Sequence, residues 1–338
     1  MRDDKVDVLR FIGLAMIILA HVNPPSIIFQ LRNFDVPLMV LVSGMSFGLS
    51  YKNNTPYVGY IFRRIKRLIL PVWFFLTLYF SVNFIVNPTS SEINFRTIIT
   101  SYTLISGIGY VWIIRVFLMV AIASPLIFSF NKIIHNDRNY FAILMVIFLA
   151  YEIVRYFLLP YIQDGIGKII GLIIPYIIPY AIIFSIGLRM LNMNIIKLII
   201  LSGLSLMLFI FIGVWLLLLN GEFTPTQMFK YPPSIYYFSY ALFVSATLFI
   251  FSQNLSDVFK KMKINKQISF VANNSMWIYL WHIPLIKMIH LNYAYKYIVV
   301  FLISILIVFL QLFILNKIIF PYIKNSRMKK NIKNLLMG

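Results

Sequence analysis

Long apolar runs alternate with short polar joints along this chain, and that rhythm is its dominant signal. A helix crossing the roughly 30 Å hydrocarbon core of a bilayer needs about 20 apolar residues, since each advances about 1.5 Å. Stretches of that kind occur at 6–26, 34–52, 68–87, 110–130, 140–160, 168–189, 196–219, 234–253, 269–291 and 296–319. The pattern predicts an all-α, polytopic integral membrane protein with about ten transmembrane helices. Segment 96–109 is apolar but short and flanked by polar residues, so it is expected at the interface or dipping into it. Residues 1–322 read as one membrane-embedded domain and 323–338 as a basic tail.

Composition agrees with the pattern. Of the 338 residues, 61% are hydrophobic and 12% charged. A soluble domain carries about 25% charged residues, so most of this surface must face lipid rather than water. The net charge of +20 does not point to nucleic acid, because the basic residues gather in the joints between apolar runs. With the N-terminus in the cytoplasm, about 20 of the 30 lysines and arginines fall on the inner side and about five outside. Arg63, Arg64, Lys66 and Arg67 lie inside, as do Lys260, Lys261, Lys263 and Lys266 and the tail. Both termini are therefore expected to be cytoplasmic. No small-residue cleavage site follows the first apolar run, which reads as a permanent span and not a signal peptide. The absence of cysteine rules out disulfides, a thiolate nucleophile and thiolate metal ligands. The four histidines show no metal-binding spacing, so no metal site is expected.

Charged side chains near the bilayer centre cost at least about 2.5–3.5 kcal/mol each, so those present call for a reason. The first span holds Asp7, Arg10 and His21. Asp7 and Arg10 are three apart and can pair on one helical face. His21 lies eleven residues beyond Arg10 and projects from nearly the same face, about 17 Å further along the axis. The two cannot bond directly along a straight helix, so they serve different parts of a long ligand or different events. Pro24 and Pro25 should end the helix near Asn23, leaving His21 in its last turn towards the outer side. The unpartnered carbonyls there favour imidazolium, which works against a neutral base, although a nearby acceptor can tune the ring either way.

Other intramembrane candidates are Arg115 in the fourth span, Glu152 with Arg155 three residues on, and His282 beside Pro284. Glu152 and Arg155 can neutralise each other structurally. Lys287 can snorkel to the outer surface, and His135 and His290 read as loop or interface residues. The cluster Arg63, Arg64, Lys66, Arg67 is either a topology signal beside anionic headgroups or a phosphate clamp for a cytoplasmic donor.

Three runs taken together carry a resemblance. VDVLRFIGLAMIILAHV sets Arg10 and His21 in an R-x10-H arrangement, FDVPLMVLVSGMSFGLSY holds Ser43-Gly44, and FRRIKRLILPVW contains Arg64 and Arg67 as R-x-x-R. In order and spacing they resemble the N-terminal region of acyltransferase family 3, bacterial membrane O-acyltransferases that modify surface glycans. VWIIRVFLMVAIASPL and ISFVANNSMWIYLWHIPLI resemble later signatures of that family, extending the likeness over most of the chain. Met45 stands where the family's Ser-Gly motif usually continues with an aromatic or aliphatic residue. The resemblance implies a domain over 1–322 that transfers an acetyl group from cytoplasmic acetyl-CoA to a hydroxyl of a surface glycan or lipid-linked sugar. It implies a location in the bacterial cytoplasmic membrane, among lipid. His21 would be base or acyl carrier with Arg10 beside it in the catalytic set. Arg64, Arg67 and Arg63 would bind the donor, and Asp7, Ser43, Arg115, Glu152, Arg155 and His282 are candidates for substrate contact. Many relatives carry an extra extracytoplasmic domain, so a separate transferase partner is an expectation here. The competing reading is a transporter or flippase with Arg10, His21, Glu152 and Arg155 lining a path, against which the lack of internal repeats weighs.

Overall fold

The computed structural model describes residues 3–51, 56–162 and 165–337, and these residues form helices and connections with no strand. In chain order the helices are α1 Asp4–His21, α2 Ser26–Leu31, α3 Asp35–Ser50, α4 Tyr57–Val86, α5 Phe95–Tyr102, α6 Trp112–Ile133, α7 Asp137–Leu158 and α8 Gly165–Met190. They continue as α9 Ile195–Asn220, α10 Ile235–Lys261, α11 Asn265–Asn273, α12 Ser275–Met288, α13 Tyr293–Ile314, the single turn α14 Phe320–Tyr322 and α15 Ser326–Leu336. Lys52, last in the second predicted span, and Gly338 lie outside the described residues.

Among the described residues, eight helices are long and apolar enough to cross a membrane, and the protein is a polytopic membrane protein. The sequence predicts about ten. The two remaining stretches correspond to α1, which carries Asp4, Lys5, Asp7 and Arg10 within 18 residues, and to 269–291, which Asn274 divides into α11 and α12. With 14 residues, α12 rises only about 21 Å. A correction concerns Arg63, Arg64, Lys66 and Arg67, which lie in the first turns of α4 and not in a joint. At 30 residues, α4 is about 45 Å long and outruns the hydrocarbon, so its polar start stays helical beyond it.

Local chemistry explains the boundaries. Asparagine caps five helix starts, at Asn94, Asn136, Asn194, Asn292 and Asn325, each side chain accepting from a backbone N–H of the first turn. α1 stops at His21 as expected, followed by Asn23 in the left-handed region (φ 55°) and the two prolines.

Two compact units divide the chain. The first comprises Met1–Ile17, Pro25–Asn53 and Met119–Ser269. Within it α3 and α8 cross at their glycines: a Cβ on Gly44 would stand 2.2 Å from the Phe184 carbonyl oxygen, and one on Gly187 2.1 Å from that of Leu41. Small residues let helix backbones meet where lipid supplies no hydrophobic drive, so Gly44 of the Ser-Gly motif is a packing residue. The second unit comprises Ile18–Pro24, Asn54–Leu118 and Phe270–Gly338. There Trp281 Nε1 donates to Gln311 Oε1 at 2.8 Å, and Gln311 Nε2 donates to the Leu336 carbonyl at 2.7 Å, tying α12, α13 and the tail helix α15 together.

Candidate active site

In the second unit, the end of α1 brings His21 against α12. His21 Nδ1 lies 2.9 Å from His282 Nε2, and the rings stack at 5.0 Å. His282 is fully buried, and its Nδ1 faces the Tyr279 carbonyl oxygen one turn back. That carbonyl only accepts, so Nδ1 of His282 carries a proton. In a neutral imidazole the other nitrogen is then bare, and Nε2 of His282 accepts from Nδ1–H of His21. In a neutral His21 the remaining nitrogen, Nε2, carries the lone pair, and the ring is half-buried. Tyr110 packs edge-on against His21 at 5.0 Å.

The loop carrying Tyr110 is fixed from below. Arg115 Nη1 donates to the carbonyls of Leu104 and Ile105 at 3.1 and 2.7 Å. Gly107 adopts φ 52°, where a Cβ would fall 2.0 Å from Ser101 Oγ, so only glycine fits this turn. Arg115 thus contacts the loop behind Tyr110 through backbone carbonyls.

On the far side of Tyr110 sits a polar link that the sequence did not reveal. Lys287 Nζ donates to Glu92 Oε1 and, at 2.7 Å, to Tyr79 Oη, which donates to Glu92 Oε2 at 2.5 Å. The ammonium also lies over the Tyr110 ring at 5.6 Å. Lys287, which the sequence allows to snorkel, has a carboxylate within reach that holds it. Burial pushes the Glu92 carboxyl upward, but the bonds from Lys287 and Tyr79 outweigh this and hold it below the usual range. A depressed pKa adds stability that is fully present above the unfolded value, about 4.3, and lost as pH falls through the folded one. Glu92→Gln is expected to lower the thermal midpoint of detergent-purified protein equally at pH 7 and about pH 5.5, the gap closing only in stronger acid. A deficit already gone by that pH would show that the link does not form.

The first unit contains the other candidates. Arg10 Nη1 lies 4.0 Å from Asp7, and Nη2 donates to Ser46 Oγ. Ser43 Oγ donates to Met39 O at 2.9 Å, one turn back in its own helix. Arg155 pairs with Glu152 at 2.7 Å, and Glu152 also accepts from the Ile235 N–H at the start of α10. An acceptor at a helix N-terminus is a structural use of that carboxylate. In the second unit's α4, Arg63 and Arg67 are exposed while Arg64 Nε donates to Tyr60 Oη at 3.0 Å.

One further cluster escaped the sequence reading. Asp35, first residue of α3, accepts from Arg32 Nη1 at 2.7 Å, Lys230 Nζ at 3.3 Å and the Val36 N–H at 2.7 Å. Lys230 also donates to Asn33 Oδ1 at 3.2 Å. Arg32, Asp35 and Lys230 are at most 3% exposed. Burial pulls the Lys230 ammonium below the usual lysine range, with Asp35 opposing.

A family model described as an acyltransferase domain matches residues 3–317. The chain belongs to acyltransferase family 3. No curated protein and no solved structure matches it. All the candidate residues of this acyltransferase fall inside the matched region, whereas α15 lies beyond it. Among its described residues no group of three or more His, Asp or Glu is arranged to hold a metal ion.

Proposed function

We propose that this acyltransferase moves an acetyl group from acetyl-CoA to a hydroxyl of a surface glycan or lipid-linked sugar in the bacterial cytoplasmic membrane. The contact of His21 Nδ1 with His282 Nε2 carries the reading, because it leaves the outer nitrogen of His21 as the basic one. As general base, Nε2 takes the proton of the acceptor hydroxyl while the oxygen attacks the thioester carbonyl. The tetrahedral intermediate collapses, the C–S bond breaks, and the same proton passes from Nε2 to the departing thiolate. As acyl carrier, the same lone pair attacks the thioester first, the C–S bond breaks to release the thiolate, and the acceptor hydroxyl then takes the acyl group from nitrogen, its proton passing to the thiolate. Both routes use one nitrogen, and His282 acts as a positioning residue that fixes the tautomer in either. Arg64 and Arg67, three apart on α4, suit the donor's phosphates, which arginine grips with paired N–H groups. Tyr110, with Lys287 and Glu92 beyond it, borders the acceptor's approach.

The intramembrane charges favour this reading over a transport path. Asp7, Arg10, Glu152 and Arg155 are engaged with near neighbours in their own unit. The test is protein reconstituted in nanodiscs with radiolabelled acetyl-CoA, following CoA release and donor binding. Release or transfer supports the reading, and Arg64→Ala with Arg67→Ala is expected to raise the donor KM roughly tenfold or more, the effect of losing charge-assisted bonds. Absence of both turnover and binding would turn the assignment to transport.

A further inference from the structure

A groove of about 470 Å³ runs within the first unit along α7, α8, α9 and α10. Its volume falls in the range of built ligand cavities, about 300–1,000 Å³. The walls are apolar along most of the length, with Phe141, Leu144, Leu201 and Phe238 among them. One end is charged: Asp137, Arg138 and Lys197 line it at the starts of α7 and α9. From there the lining continues to Phe148 on α7 and Leu208 on α9, eleven residues along each helix. That is a rise of about 16 Å, close to half of the roughly 30 Å hydrocarbon core. On α10 the lining reaches Ile235, whose N–H bonds Glu152 fifteen residues past Asp137 on α7, so the groove extends about 22 Å from a polar mouth where the loop charges put the cytoplasm.

The mouth has a net positive charge. The single carboxylate, Asp137, is taken by Arg189 Nε at 2.6 Å and by Lys197 Nζ. Arg138 is exposed beside them. Two lining cations, Arg138 and Lys197, against one anion, above a long apolar slot, match a phosphate carried on a hydrocarbon chain. We infer that this groove seats an acyl chain of an anionic phospholipid from the cytoplasmic leaflet, with the headgroup phosphate at Arg138 and Lys197. The site is separate from the residues assigned above to acyl transfer and does not depend on that assignment.

Nanodiscs of mixed phosphatidylglycerol and phosphatidylcholine, followed by gentle detergent extraction and native mass spectrometry of the full chain, test the seat. One phosphatidylglycerol is expected to remain bound, favoured over phosphatidylcholine about fivefold or more, the effect of one or two cations at an anionic surface. Arg138→Gln should remove most of that preference, and Leu201→Trp, which fills the slot, should remove the retained lipid. Leu201→Met keeps volume and should behave as wild type, separating occupancy from folding. Equal retention of the two lipids, or unchanged retention in Leu201→Trp, would overturn the inference. Displacement of the bound species by palmitoyl-CoA and not by added phosphatidylglycerol would overturn it too, by naming a different occupant.

Discussion

Replacing His21 with alanine is expected to lower acetyl-CoA-dependent transfer by about 10²–10⁴-fold, the range a positioned general base supplies. Insertion should be unaffected, because the half-buried ring sits in the last turn of α1, at the end of the apolar run. The neighbouring position makes the test specific. In His282→Ala, His21 remains but loses the acceptor that fixes its tautomer, so kcat should fall less than in His21→Ala and the pH profile should move. His282→Gln offers a carbonyl oxygen to the same Nδ1–H and should recover part of the loss. Full activity in His21→Ala removes that residue from the chemistry. Full activity and an unaltered pH profile in His282→Ala would leave His21 without its positioning partner.

Asp35→Asn should be the most destabilising single exchange outside the site. Asp35 is the carboxylate that Arg32 and Lys230 share, all three buried, and breaking a buried pair costs about 3–5 kcal/mol because uncompensated charge stays behind. Lys230→Met should cost less, since Arg32 and Asp35 remain a matched pair. Thermal unfolding in nanodiscs measures both. A smaller shift for Asp35→Asn than for Lys230→Met would mean that the carboxylate is not the keystone of this cluster.

The contrast between these two residues explains what the sequence could reveal. His21 stood out because an ionisable group inside an apolar run has few explanations, and its distance from Arg10 could be counted along a single helix. Its partner is 261 positions away, and no periodicity links the two. Asp35 falls at the junction of a connection and a span, where a carboxylate looks unremarkable until Lys230 arrives from another loop. Glu92 and Lys287 were hidden in the same manner, each ordinary near a membrane surface and informative only as a pair. Ser43, named through the Ser-Gly motif, bonds its own helix one turn back, as serine in helices commonly does. The helical, membrane-spanning class was legible because bilayer thickness sets a length that can be read by counting. The division at Asn274 was not, because the apolar pattern runs across it without a change.

The unbroken course of α4 also works as a ruler. Arg64 and Arg67 stand near its start, and Tyr79, whose hydroxyl joins the Lys287 link beside Tyr110, stands fifteen and twelve residues further along. At about 1.5 Å per residue, that is roughly 18–22 Å. A donor whose phosphates rest on these arginines must therefore reach the level of the imidazole by an arm of about that length. On the proposed donor assignment a compact acyl phosphate would fall short, and an acyl group at the end of a long, slender tether would reach.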